Sequence, residues 1–241
     1  MMQKWVEYVR KAAGDGCIWN TGHQYGDWLA LDAGEDNYTG ASRKEFIATA
    51  FYAHSAQLLA QAMDALDMDG AAYRQLFETI RTTHQKTFPD CRTQTERALA
   101  LHFGLTAEPE RVAAQLAELV RRNGNRLTTG FVGTPYLLHA LSENGYAQTA
   151  YDLLLQTEAP SWLFSVKMGA TTVWEHWDSR KADGSFWSTD MNSFNHHAYG
   201  AVADWLYGAA GGIRPGNPGY ETVIFAPVPD RRLQRFEVVV N

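Results

Sequence analysis

The stretch GATTVWEHWDS, Gly169 to Ser179, sets Glu175 and His176 between Trp174 and Trp177, with Asp178 directly after. A carboxylate held between aromatic walls is partly desolvated, so its proton affinity can be tuned for acid or base work. Indoles stack on the flat apolar faces of pyranose rings, which makes Trp174 and Glu175 together a candidate sugar site. The plainer reading puts both tryptophans in the core and leaves Glu175 as a surface acid beside them. Further on, His196 in NSFNHHAYG stands where a helix is expected to begin. It can hydrogen-bond a sugar hydroxyl or orient a carboxylate there, or simply meet backbone and solvent, while His197 points elsewhere. Upstream, HQYGDWLALDAGED offers Trp28 as a stacking platform and Asp27 as a hydroxyl acceptor, against a tight turn at Gly26 with Trp28 in the core. Asp27 or Asp32 could also serve as the acid opposite Glu175. Asp178 and Asp190 sit in polar, turn-like surroundings that favour solvated carboxylates. A third loop, TTGFVGTPYLL, reads as structural, with Gly130 and Gly133 and no chemistry of its own.

These loops need a frame, and the composition allows one. The 241 residues are 45% hydrophobic and 12% aromatic, enough for a sizeable core. The net charge of −6 is spread without basic runs, which excludes nucleic acid and an anionic membrane as natural partners and leaves small neutral ligands. Cys17 and Cys91 have no zinc or disulfide spacing, and no metal or cofactor is expected. No apolar run reaches about 18 residues and no signal peptide opens the chain, so the default location is cytoplasmic.

Helical spacing dominates. Trp5, Tyr8, Val9 and Ala12 open the chain on one helical face. From Ser42 a long helix is predicted with Ile47, Phe51, His54, Leu58, Ala62 and Leu66 inward, and with Ser42 and Glu45 forming a capping box. Tyr73, Leu76, Phe77, Ile80 and His84 predict a second, Leu99 to Phe103 a short one, and Val112, Leu116, Leu119 and Val120 another. His54 and His84 lie on helix faces and read as core or supporting residues. Pro135 starts a helix that Gly145 ends, Ala147 to Leu154 carries the next, and a last one is expected from Ser193 to Ala209. Consecutive antiparallel helices with polar and aromatic loops suit an all-α toroid whose loops line a cleft at one end. The texture changes at GIRPGNPGY, and ETVIFAP and RFEVVV read as strands, placing a boundary near Pro215. The expected domains are 1–214 and 215–241.

YGDWL, TTGFVGTPYLL, GATTVWEHWDS, NSFNHHAYGAVADWLYGAAGGIRP and GYETVIFAPVPD resemble, in order, the second half of bacterial α-L-rhamnosidases of glycoside hydrolase family 78. The resemblance covers most of the chain. It implies an (α/α)6 barrel followed by the start of a C-terminal β-sandwich, and inverting hydrolysis of terminal α-L-rhamnosides. By position, Glu175 matches the general base, Trp28 a tryptophan of the rhamnose pocket and His196 a histidine contacting the sugar. The family's general acid belongs to a motif resembling C-P-x-R-D-E-x-x-G-W, and no such stretch occurs here. The expectation is therefore a toroid incomplete at its N-terminus, inactive alone on natural glycosides, whose partners are a rhamnose-containing glycoside and either the missing half or a second copy. That expectation leaves the localisation open.

Overall fold

The computed structural model describes residues 1–34 and 37–239. Eight α-helices run first: α1 (Met2–Ala13), α2 (Lys44–Ala65), α3 (Ala71–Thr87), α4 (Gln94–His102), α5 (Pro109–Arg122), α6 (Thr134–Ser142), α7 (Ala147–Leu154) and α8 (Trp162–Lys167). A 3₁₀ turn (Ala198–Ala201), α9 (Val202–Trp205) and a π turn (Leu206–Ala210) lead into the strand pair β1 (Ile213–Pro215) and β2 (Val223–Phe225).

α5 and α3 follow their sequence pattern, whereas α1 buries Val6 and Val9 and leaves Trp5 and Tyr8 of its predicted face exposed. In α5, Pro109 opens the helix, and Val112, Ala113, Leu116, Ala117 and Val120 are buried on one face. In α3 the buried stripe is Tyr73, Phe77, Ile80 and His84. Two apolar cores result. The first gathers Val6, Val9, Phe46, Tyr52, Phe77 and Phe103 from α1 to α4; the second gathers Leu116, Leu137, Tyr151, Trp177, Tyr199 and Trp205 from the later helices. Tyr136 packs against both. α4 stands between them, and Gln94, Thr95 and Glu96 in its first turn are fully buried.

α2 departs from its predicted stripe. Leu58 and Leu66 are exposed, while Phe46, Ala50, Tyr52, Ala53, Ala56, Leu59 and Ala60 are buried. The reason is its position: α2 contacts α1, α3 and α4, so its buried surface winds around the helix, and the many alanines permit that close approach. The capping box does not form either. Ser42 Oγ is 2.7 Å from Thr93 Oγ1, and the cap position is Arg43, with no side-chain cap. Arg43 instead grips the buried Glu96 through Nε at 2.9 Å and Nη2 at 2.7 Å. Glu96 also accepts the backbone N–H of Arg43 and of Arg92, so this buried charge is fully hydrogen-bonded.

The predicted final helix is shorter, beginning at Ala198 rather than Ser193, because the backbone of residues 193–196 pairs with residues 173–175 instead. Of the predicted strands, Val223–Phe225 forms, but residues 235–239 are not strand. The partner is β1, antiparallel in the register Ile213↔Phe225, so the pair crosses the boundary expected at Pro215. The tail lies on the helical body: Val228 N–H donates to Ala209 O at 3.1 Å, Tyr151 Oη to Val228 O at 2.6 Å, and Arg232 to Asp152 at 2.7 Å.

Candidate functional site

Three loops meet around an aromatic floor. Residues 173–175 and 193–196 run side by side: Glu175 N–H donates to Ser193 O at 2.9 Å, and His196 N–H to Val173 O at 2.8 Å. Ser193 N–H in turn donates to Glu175 Oε2 at 2.7 Å, which fixes the half-buried carboxylate. Among the described residues its other oxygen has no hydrogen-bond partner, leaving it available to a water or a hydroxyl.

His196, on the segment paired with residues 173–175, is linked to Trp28 by one residue of the TTGFVGTPYLL loop. Phe131, in the loop read as purely structural, stacks on His196 with ring centroids 4.7 Å apart, and its N–H donates to the carbonyl of Trp28 at 2.9 Å. It also meets Tyr199 edge-on at 5.2 Å, and Tyr199 stacks on Trp177 at 3.9 Å. The sequence signal for Phe131 was its place between Gly130 and Gly133 in a loop of close backbone approaches. A Cβ on Gly130 would lie 2.2 Å from Trp28 O, and one on Gly133 2.4 Å from Thr95 Oγ1. Only glycine lets the two loops interlock.

Asp27 is the clamp of that interlock, which corrects its expected role as a hydroxyl acceptor. It is fully buried, and its oxygens accept from Gly130 N (2.8 Å), Val132 N (2.8 Å), Gly133 N (3.1 Å) and Thr95 Oγ1. With both oxygens committed inside the protein, it cannot serve a sugar or act as the acid. Burial pushes its carboxyl up, against the pull of the four hydrogen bonds. Tyr199 feels both carboxylates: burial first, then the fields of Asp27 and Glu175, push its phenol far above the ordinary range.

The remaining candidates separate. Trp28 is half-buried, with its ring between Tyr25 at 5.9 Å and Tyr38 at 5.7 Å. Trp174 is buried against Phe194, edge-on at 5.4 Å, and with Trp162, Trp177 and Tyr199 it walls a separate cavity of 290 Å³. Trp28, Glu175 and His196 do not line that cavity. Asp178 is part-buried and lies 2.5 Å from His176 Nδ1, and that imidazole stacks on Trp187 at 3.9 Å. Asp190 is exposed; its carboxylate accepts from Thr189 Oγ1 and its backbone N–H donates to Ser188 Oγ. His197 is exposed beside His196, and His54 stacks on Phe103 at 4.0 Å, burial lowering its pKa. His84 is core, pushed down to about 4 by burial. Asp32 Oδ1 accepts Ala41 N–H at 2.8 Å, its other oxygen is buried without a partner among the described residues, and burial pushes its carboxyl up. Among the described residues no group of three or more His, Cys, Asp or Glu could hold a metal.

Paired helices whose loops converge on one carboxylate and a set of aromatic rings are the layout of a helical glycosidase. Residues 1–210 match the family model described as bacterial alpha-L-rhamnosidase 6 hairpin glycosidase domain, and the chain belongs to that family, glycoside hydrolase family 78. The α-L-rhamnosidase of Streptomyces avermitilis is 40% identical over 233 residues, 93% of this chain and 22% of the relative. That of Formosa agariphila is 35% identical over 252 residues, covering 100% of this chain and 27% of the relative. The crystal structure of the Streptomyces avermitilis enzyme complexed with L-rhamnose superposes with a TM-score of 0.85 at 38% identity, over 95% of this chain and 22% of that one. Native α-L-rhamnosidase from Aspergillus terreus gives 0.87 at 34%, over 95% and 28%. The fold is thus that of a six-hairpin glycosidase, and the chain spans roughly a quarter of the length of the curated relatives it matches.

Proposed function

We propose that this chain carries the base side of an inverting α-L-rhamnosidase site, with a terminal α-L-rhamnosyl residue of a glycoside or oligosaccharide as substrate. The observation that carries the reading is the grip of Ser193 N–H on Glu175 Oε2, which leaves the other carboxylate oxygen without a hydrogen-bond partner among the described residues, on a segment paired with the one that bears His196. Glu175 takes a proton from the water that attacks the anomeric carbon, on the face opposite the leaving group. Trp28 stacks on the sugar ring and His196 hydrogen-bonds a hydroxyl. In an inverting enzyme the acid stands about 6.5–9.5 Å from the base, leaving room for that water. No stretch of the sequence has the family's acid-bearing motif, so on this reading the chain alone acts only on glycosides whose leaving group departs with little protonation.

The test is hydrolysis of an activated aryl α-L-rhamnoside by the purified chain and by Glu175→Gln, with the first-formed anomer read by proton NMR. Turnover abolished by the substitution and release of β-L-rhamnose support the proposal. Retained turnover in Glu175→Gln, or α-L-rhamnose as the first product, sinks it. A second reading, with Asp32 as the acid, rests on its raised pKa and its unpartnered buried oxygen. Asp32→Asn would then slow natural rhamnosides while sparing the aryl substrate.

A further inference from the structure

Apart from these loops, a cavity of 370 Å³ opens between the C-terminal end of α3, α4 and the first turns of α5. That volume is within the range of about 300–1,000 Å³ typical of small-molecule sites. Trp28, Phe131, Glu175 and His196 do not line it. Phe88, Leu105 and Val112, all buried, give it an apolar wall, and Arg97 and Arg111 bring positive charge to it.

The charges around this cavity do not cancel. Glu96 is held by Arg43 at 2.7 Å and Glu108 by Arg111 at 2.6 Å, while Asp90 meets Arg92 at 3.3 Å and Arg43 at 3.6 Å. Among the described residues Arg97 forms no ion pair. Its Nη1 donates to Thr93 O at 3.0 Å, whereas Nε is buried and, like Nη2, has no hydrogen-bond partner among the described residues. Burial lowers the Arg97 pKa, against the fields of Cys91, Glu96 and Asp90, which raise it. The guanidinium has thus lost part of its hydration without a carboxylate of its own in return, which costs free energy until a counter-ion arrives. A second polar group of the wall is also unmet: His84 is buried, and its Nε2 has no partner among the described residues. Burial keeps that imidazole neutral, so the spare charge is that of Arg97.

We infer that this cavity binds a small organic monocarboxylate, with its carboxylate on Arg97 and its apolar body against Phe88, Leu105 and Val112. The Nε–Nη2 edge of a guanidinium matches the two oxygens of a carboxylate. A dianion such as phosphate fits less well, because the exposed carboxylates of Asp90 and Glu108 border the same cavity and repel a second negative charge. The inference is independent of the rhamnosidase reading, and its ligand is not a sugar.

The test is calorimetric titration of the full chain with sodium benzoate and with benzamide, a neutral molecule of nearly the same shape. Benzoate is expected to bind about tenfold tighter, the scale of a charge-assisted hydrogen bond, and to weaken as salt is raised while benzamide does not. Arg97→Gln should bring benzoate down to the affinity of benzamide. Ala107→Trp, at an exposed position that lines the cavity, should weaken both by filling the space, and it carries the test should Arg97→Gln not fold. Absence of benzoate binding, equal affinities for the two molecules, or benzoate binding that survives either substitution in folded protein overturns the site. Inorganic phosphate binding as tightly as benzoate overturns the assignment to a monocarboxylate.

Discussion

Asp27 and Glu175 are two carboxylates on separate loops, both close enough to raise the Tyr199 phenol, and the protein holds them in opposite ways. Asp27 is fully buried and accepts four hydrogen bonds from Thr95, Gly130, Val132 and Gly133. Glu175 is half-buried and accepts one, from Ser193. A carboxylate with every lone pair engaged holds structure together; one with an oxygen to spare can meet a substrate. Their difference lies in how many backbone N–H groups the fold aims at each.

The comparison can be broken from either side. The largest expected effect is on chemistry: Glu175→Gln should lower turnover of an activated aryl rhamnoside by about 10³, or about 4 kcal/mol in barrier, as for loss of a general base. Its melting temperature should hardly move in calorimetry, because one hydrogen bond to Ser193 survives in the amide. Asp27→Ala should do the opposite first. It strands three buried N–H groups and the Thr95 hydroxyl, so urea unfolding should show a loss of about 3 kcal/mol or more, with sugar binding failing only as the Trp28 and Phe131 loops separate. A stability change in Glu175→Gln matching that of Asp27→Ala would erase the distinction. Next, Gly130→Ala drives a Cβ to 2.2 Å from Trp28 O and should cost about 2 kcal/mol, read as a lower urea midpoint.

The smallest effect concerns a third carboxylate, held between two histidines. Glu143 contacts His102 Nδ1 at 3.3 Å and His139 Nδ1 at 3.4 Å, while His139 Nε2 lies 2.9 Å from Asp204. Burial raises the Glu143 carboxyl, but the two histidines outweigh it and bring it down to about 2. For His139, burial lowers the pKa and the contacts with Glu143 and Asp204 lift it to a net rise. The raised His139 contributes stability that is complete below its unfolded pKa of about 6.5 and fades as pH climbs through the folded value. The depressed Glu143 contributes above its unfolded pKa of about 4.3 and fades as pH falls toward the folded value. Stability measured by urea unfolding should therefore be greatest between those limits. His139→Gln should flatten the profile by at most about 1 kcal/mol, since Glu143 is well exposed and screened.

Much of this was legible in the sequence. α5, α6 and α7 were set by their apolar spacing, by Pro135 and by Gly145, all local signals. The loops bearing Glu175, His196 and Trp28 stood out because their residue types are those of sugar chemistry. α2 misled because its apolar and alanine positions serve three neighbours at once, and the tail because a two-stranded pairing depends on which segment lies alongside. The clamp made by Asp27 was hidden because its backbone partners lie about a hundred residues away, and the packing of the Phe131 loop on His196 because it joins segments distant in the chain.

The sequence by itself determined most of the helices, the family and the residue types at the candidate site, since these depend on periodicity and motif order along the chain. Only the tertiary structure decided which carboxylate is spent and which is free. That depends on the number of hydrogen-bond donors brought to each from distant segments, and residue spacing carries no record of it.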